Sequence, residues 1–270
     1  MDTHLELNDG HRIPRLGLGV WRASDDEVVG AVSHALGHGY RHVDTAAIYG
    51  NEKGVGRGIA SSGVPRDEIF LTTKVWNEEI RAGRAREALE ASLERLGTDR
   101  VELALLHWPA DGRVDAWRAL VEAREAGLAR SIGVSNFLPE HLDELVAETG
   151  TVPAINQIEH HPWLTQAPIR AACERHGVAL EAWSPLMQGR FAEAPAVGEV
   201  AEAVGRTAAQ VVLRWALQRG AVVIPKSVTP ARIEENARAF DFELGAAAMA
   251  RLDALERGER LGPDPASFSF

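Results

Sequence analysis

With 45% hydrophobic content, a chain of 270 residues has apolar material for one α/β barrel of about 250 residues or for two smaller domains. Its 29 basic and 39 acidic side chains leave a net charge of −10, which disfavours nucleic acid and anionic membrane surfaces as partners, and no local basic patch offsets it. No apolar run approaches the roughly 20 residues of a membrane span. His4, Glu6 and Asp9 stand where an export signal would be basic and then apolar, and the lone Cys173 rules out an intramolecular disulfide, so a reducing cytoplasm is the expected location.

Leu5 to Ile13 alternates around Asp9-Gly10, a hairpin signal, and the hairpin is expected to cover one end of the main fold. Residues 15–20 (RLGLGV) read as a short strand. Ser24 and Glu27 then have capping-box spacing, and Val28, Val29, Val32, Ala35 and Leu36 follow at helical intervals until Gly37 and Gly39. From there apolar strands at 41–43, 69–73, 101–106, 130–134, 154–158, 178–182 and 221–224 alternate with helical patterns. Gly97 stops the helix bearing Ala88, Leu89, Leu93 and Leu96; Gly127 stops the one bearing Trp117, Leu120 and Val121; Ala208 to Leu217 precedes the last strand. Counted with the first strand, eight such units predict parallel pairing and a single (β/α)8 TIM barrel domain over residues 1–270. The rival fold, a doubly wound open sheet, usually shows GxGxxG after its first strand. Here Gly17-Leu-Gly19 runs into Val-Trp-Arg, and Gly54, Gly56 and Gly58 have the wrong spacing at a helix start and read as small-residue packing.

In a parallel barrel the active site lies at the C-terminal ends of the strands. Those ends carry Asp44 (with Tyr49 soon after), Lys74, His107, Ser135-Asn136, Gln157, Trp183-Ser184 and Lys226-Ser227. The chain holds three lysines against 26 arginines, so a lysine at a strand end stands out as a place for a compact ammonium beside another ionisable group. Trp21, Trp76, Trp108, Trp163 and Trp183 fall at or just after strand ends, which predicts an apolar mouth with aromatic walls for a small organic ligand. A phenol is a poor proton donor at neutral pH unless a cation stabilises its phenolate. Lys74 is placed to supply that cation to Tyr49, Asp44 to hold Lys74 charged, and His107 to orient the oxygen that takes the proton. Ser135 and Ser184 lack an elbow motif, which leaves an acyl-transfer nucleophile little support. At the last strand, Lys226, Ser227 and Arg232 offer two cations and a hydroxyl near a helix start, a setting that suits a phosphate dianion.

The motifs DTAAIYGNE at 44–52, TKVWN at 73–77, LLHWP at 105–109, GVSNF at 133–137, NQIE at 156–159, WSPL at 183–186, IPKS at 224–227 and ARIEEN at 231–236 resemble those of the aldo-keto reductases, in order and over nearly the whole chain. The closest resemblance is to bacterial members of the 2,5-diketo-gluconate reductase type. It implies a barrel that binds NADPH (NADP+ after turnover) without a Rossmann fold and reduces small aldehydes or ketones by hydride transfer from nicotinamide. By the same resemblance, Tyr49 is the general acid, Lys74 and Asp44 its tuning pair, and His107 the carbonyl-orienting group. Ser135, Asn136 and Gln157 match carboxamide-binding positions, Trp183 the aromatic that stacks on nicotinamide, and Ser184 and Leu186 positions along the pyrophosphate. Lys226, Ser227 and Arg232 match the 2′-phosphate site, with Glu235 and Asn236 by the adenine. Trp21, Trp76 and Trp108 are expected to line the substrate pocket.

Several other groups are read more plainly. His34 and His38 lie four apart on the first helix, but no third ligand is apparent, and they are expected as surface or groove histidines with no metal bound. His160 and His161 are expected to serve packing or polar satisfaction, and Cys173, Trp117 and Trp215 to be core. The expected state is a monomer. A catalytically weak NADPH sensor, a phosphate-binding barrel isomerase or lyase, and an interaction module remain as alternative readings.

Overall fold

The computed structural model describes residues 2–268. Two strands, β1 (His4–Glu6) and β2 (Arg12–Pro14), pair antiparallel with Leu5 opposite Ile13. Eight parallel strands follow: β3 (Leu18–Gly19), β4 (His42–Asp44), β5 (Phe70–Val75), β6 (Val101–Leu106), β7 (Ala129–Ser135), β8 (Ile155–Glu159), β9 (Ala179–Trp183) and β10 (Val222–Val223). Each pairs with the next in sequence, and bridges from Leu16 to Val223 and from Gly19 to Lys226 join the last to the first. The result is the closed (β/α)8 barrel.

The strand boundaries fall within a residue or two of the sequence reading except at the first strand, on the seam, where 15–20 contracts to β3. The reason is geometric. Along 15–20 the backbone is shared between two neighbours: Gly17 N–H donates to Val223 O at 2.9 Å and Val223 N–H donates to Arg15 O at 2.9 Å, while Leu18 and Gly19 pair with β4. Gly17 must be glycine here, since a Cβ would lie 2.6 Å from the His42 ring.

Alternation along the strands sends one set of side chains inward and the other toward the helices. At the N-terminal end the interior is apolar, with Phe70, Leu103, Leu105, Ile155 and Val222 packed beneath Leu7 and Ile13 of the hairpin, which plugs that mouth as expected. Midway the lining turns polar with His42, Thr72 and Glu181, and at the C-terminal end it carries Asp44, Lys74 and Gln157, all buried. The outward set meets the helices in the main core.

The first helix, Asp25–Gly37, has the anticipated capping box, with Ser24 Oγ accepting from Glu27 N–H and Glu27 Oε2 accepting from Ser24 N–H at 2.9 Å. Against it lies the helix Glu52–Ser61, and Gly54, Gly56 and Gly58 do allow the close packing read from their spacing. A Cβ at Gly54 would sit 2.2 Å from Asp25 O, one at Gly56 2.3 Å from Leu96 O, and one at Gly58 2.8 Å from Val32 Cβ. Among the described residues no helix is long and apolar enough to cross a membrane.

Candidate active site at the C-terminal mouth

Two neighbouring strand ends meet at one ammonium. Lys74 points inward from β5 and is fully buried; its Nζ donates to Asp44 Oδ1 on β4 at 2.6 Å, to Thr45 O at 2.8 Å and to the Tyr49 hydroxyl at 3.4 Å. A short 3₁₀ turn, Ala47–Tyr49, closed by left-handed Gly50 (φ 69°), folds the loop after β4 back so that the phenol reaches the lysine. The far oxygen of Asp44 accepts from Gln157 Nε2 at 2.8 Å, and the same amide donates to Glu181 Oε2 at 2.9 Å. His42 Nε2 lies 3.6 Å from Glu181 Oε1 and 3.2 Å from Thr72 Oγ1. A buried polar chain therefore runs down the barrel axis from Tyr49 to His42.

Burial works against the Lys74 ammonium, but the Asp44 carboxylate and the Tyr49 phenol outweigh it and the net effect holds the lysine protonated. Burial also raises the Tyr49 phenol above its usual range, with Lys74 pulling the other way. Glu181, desolvated and close to Asp44, is pushed up to about 8. His107 is held well below its ordinary value by burial and by Lys74, so its imidazole is neutral. Its Nδ1 is buried with no hydrogen-bond partner among the described residues. A bare ring nitrogen tolerates that better than an N–H, which places the proton on Nε2 as a donor. The ring sits edge-on to Tyr49 at 5.7 Å between centroids and to Trp76 at 5.1 Å.

Around this centre the other expected residues divide into groups. Ser135 Oγ donates to Gln157 O at 2.9 Å, while Asn136, held at φ 63°, donates through Nδ2 to His107 O and Ser135 Oγ and accepts from Trp183 Nε1 at 2.9 Å. These bonds fix the Trp183 ring but commit the Asn136 amide to the protein, and both protons of the Gln157 amide are engaged by carboxylates. Ser184 (φ 49°) begins a bent segment in which Leu186 is half-buried and Met187 (φ 52°) and Gln188 (φ 50°) are also left-handed. Beyond β10, Lys226 and Arg232 are exposed and form no ion pair with another described residue. Ser227 Oγ accepts from Thr229 N–H at 3.1 Å, where the helix Pro230–Ala237 begins; Glu235 is half-buried and Asn236 buried on that helix. Two unpaired cations and a hydroxyl at that helix start fit a phosphate dianion.

The aromatic wall is narrower than the tryptophan positions imply. Trp76 and Trp108 face the mouth, where Phe268 stacks on Trp108 at 4.0 Å, and Trp21 is 45% exposed on the rim with Arg22 over its ring at 4.1 Å. Trp163 is instead buried, between Arg190 and Arg257 at 5.0 and 3.9 Å, and lines nothing. Trp117 and Trp215 are core, His160 stacks on Trp215 at 4.9 Å, and His161 pairs with Glu159 at 3.0 Å, all as expected. Burial raises the Cys173 thiol to about 11, so it stays protonated and inert. Surface hollows of about 310 and 390 Å³ open at the other end of the barrel beside the hairpin, remote from these groups.

Two functional contributors escaped the sequence reading. Glu181 was absorbed into an apolar strand pattern, although an acid at an inward position two residues before Trp183 is a signal in itself. Glu159 tethers the C-terminal tail, accepting from Leu261 N–H at 2.6 Å and Gly262 N–H at 3.3 Å. This lays Gly262 so close to the Trp183 ring that a Cβ there would lie 2.5 Å from it.

The model of the Aldo/keto reductase family matches residues 15–257. An aldo-keto reductase of Mycobacterium sp. (strain KMS) is 52% identical over 267 residues, covering 98% of this chain and 97% of the relative. Methylglyoxal reductase DkgA of Escherichia coli (strain K12) is 46% identical over 271 residues, covering 98% of each. The crystal structure of a Bombyx mori aldo-keto reductase in complex with NADP superposes with a TM-score of 0.91 at 36% identity, over 98% of this chain and 97% of that one.

The buried titratable groups set an acid limit on stability. Burial lowers His42 and His160 to about 3 and His107 well below its ordinary value. An unfolded histidine takes up its proton below about pH 6.5, and each proton gained only on unfolding weakens the fold by up to about 1.4 kcal/mol per pH unit. Glu181 acts oppositely: its folded-state value is raised, so its contribution is full below the unfolded value and is lost as pH rises toward about 8. Burial lowers His141 as well and raises Asp44 alongside Glu181, so between about pH 6.5 and pH 4.5 four depressed histidines outweigh two raised acids and the unfolded chain binds the surplus protons. Urea midpoints are therefore expected to fall steeply over that interval; a flat profile would show that these histidines are not buried as neutral groups.

Proposed function

The chain belongs to the aldo/keto reductase family, whose activity is that of an oxidoreductase, and from the geometry of its site we propose that it reduces small aldehydes or ketones to alcohols with NADPH, Tyr49 donating the proton. The observation that carries this reading is the fully buried Lys74 ammonium, 2.6 Å from Asp44 and 3.4 Å from the Tyr49 hydroxyl. When bound at the mouth, NADPH would supply a hydride to the carbonyl carbon.

The chain's own groups handle the oxygen. As negative charge builds on the carbonyl oxygen, Tyr49 gives up its phenolic proton and the charge passes to a phenolate. Burial alone opposes that step, and Lys74 offsets it by lying beside the phenol in a low-dielectric setting where an ion pair is strong. Asp44 keeps the lysine charged between reactions. Neutral His107 donates from Nε2 to the carbonyl and orients it without competing as an acid. Trp76 and Trp108 keep the reacting atoms dry, and the phenol regains its proton from solvent. Trp183, locked through Asn136, would give the nicotinamide ring its surface, and the uncommitted oxygen of Gln157 would accept from the carboxamide. Ser184 and Leu186 would lie along the pyrophosphate. Lys226, Ser227 and Arg232 would hold the 2′-phosphate, with Glu235 and Asn236 beside the adenine. Support for a phosphorylated nicotinamide cofactor comes from the two free cations and from the NADP bound by the Bombyx mori protein. The methylglyoxal named for the Escherichia coli relative makes small dicarbonyls the first compounds to assay.

In steady-state NADPH oxidation with such a carbonyl panel, Tyr49→Phe is expected to retain cofactor binding and lose about 10²–10⁴-fold in rate, the range of general acid catalysis. A rate near that of the wild type would remove Tyr49 from the role. Arg232→Ala is expected to weaken NADPH more than NADH by about 1.5–3 kcal/mol, the size of a charge-assisted hydrogen bond. Equal weakening of both cofactors in fluorescence titrations would make Arg232 a structural residue instead.

A further inference from the structure

His34 and His38 share one face of the first helix, and the fold supplies a third group that their spacing could not reveal. Glu234, 200 positions further along the chain from His34, projects from the helix Pro230–Ala237 onto both rings. Its Oε1 lies 3.0 Å from His34 Nε2 and 3.5 Å from His38 Nε2. The two imidazoles stack with centroids 4.0 Å apart and planes 27° from parallel, and the ligand atoms of all three residues fall within 4.8 Å of one another. Taken pairwise, separations of 3.0 and 3.5 Å are those of a carboxylate oxygen and an imidazole nitrogen each about 2.0–2.1 Å from a shared cation, the ordinary zinc distances, at angles of about 95° and about 115°.

The hydrogen bonding of His38 points to what belongs between them. Its Nδ1 lies 2.9 Å from the carbonyl oxygen of His34, which can only accept, so Nδ1 carries the proton. Nε2 is thereby the ring atom turned toward the Glu234 carboxylate, placed to serve as a metal ligand. Donation of the distal N–H to a backbone carbonyl is also how metal-binding imidazoles are oriented.

We propose that His34, His38 and Glu234 form a binding site for a divalent transition metal that cross-links the first helix to the helix carrying Arg232. Two imidazoles and one carboxylate suit zinc, nickel or copper over the hard oxygen-seeking cations. Side-chain exposures of 24%, 47% and 41% leave the outer coordination positions to water. The site lies outside the barrel, shares no residue with the proposed chemistry, and stands whether or not the reductase reading does. Because Arg232, Glu235 and Asn236 ride on the clamped helix, the metal holds in register the segment assigned to the adenosine end of the cofactor.

The test is calorimetric titration of tag-free, full-length protein with Zn²⁺ in a non-chelating buffer, alongside His38→Ala and Glu234→Gln, with thermal melts of each. One equivalent is expected to bind the wild type, at least about tenfold more weakly in each variant, as befits loss of a ligand. Zn²⁺ is also expected to raise the melting temperature of the wild type and not of the variants. No binding to the wild type overturns the proposal. So does binding that both variants retain unchanged, which would place the ion elsewhere among the ten histidines.

Discussion

The buried ion pair between Lys74 and Asp44 is the constraint on which the rest of this structure depends. An ammonium with no exposed side-chain surface is tolerable only where carboxylate and carbonyl oxygens surround it, and here Asp44 and Thr45 O meet its Nζ at 2.6 and 2.8 Å. Asp44 needs its own support, which Gln157 gives, and Gln157 is positioned by Glu181 on the next strand. Four strands, β4, β5, β8 and β9, are thereby tied at one level of the barrel by an ion pair and the hydrogen bonds that extend it. The apolar plug beneath Leu7 and Ile13 keeps water from that level at the other end. In a barrel closed at the bottom by hydrocarbon and lined at the top by ionised groups, charge meets an incoming ligand only at the mouth.

Much of this architecture was legible in the chain because it rests on local regularities. Periodicity located eight strands and their helices, and glycine spacing at 54, 56 and 58 announced the close approach of two helices. The seam was misjudged because Gly17 and Gly19 divide their backbone bonds between β4 and β10, a sharing that no local pattern encodes. At the mouth, Asp44, Tyr49, Lys74 and His107 could be grouped because a parallel barrel gathers strand ends, whatever their distance in sequence. What could not be read were pairings of side chains: Gln157 engaged with two acids, Glu159 holding the tail near Trp183, and Glu234 completing a cluster with two histidines. Trp163 failed as a wall residue for the same reason, since two arginines from different segments cover it.

The pattern of satisfied and unsatisfied polar groups also separates what is preassembled from what a ligand must complete. Asn136 gives both amide protons to His107 O and Ser135 and accepts from Trp183, which braces the Trp183 ring and leaves one lone pair of its oxygen open. Lys226 and Arg232, by contrast, stand unpaired at a helix start. Asp44, Lys74 and His107 are held at the ends of barrel strands, while Lys226 lies in the loop after β10 and Arg232 in the first turn of the helix that follows.

Whether the Lys74 charge powers proton transfer from Tyr49 is the central question, and the rate of a single turnover in Lys74→Met, with NADPH and aldehyde both saturating, answers it most directly. Methionine fills a similar volume without the charge, and cofactor binding by the variant is followed separately by fluorescence. The account predicts that NADPH still binds and that its oxidation slows by about 10²-fold or more, the scale on which positioned electrostatic groups act. A folded, NADPH-binding Lys74→Met protein that turns over at close to the wild-type rate would contradict it.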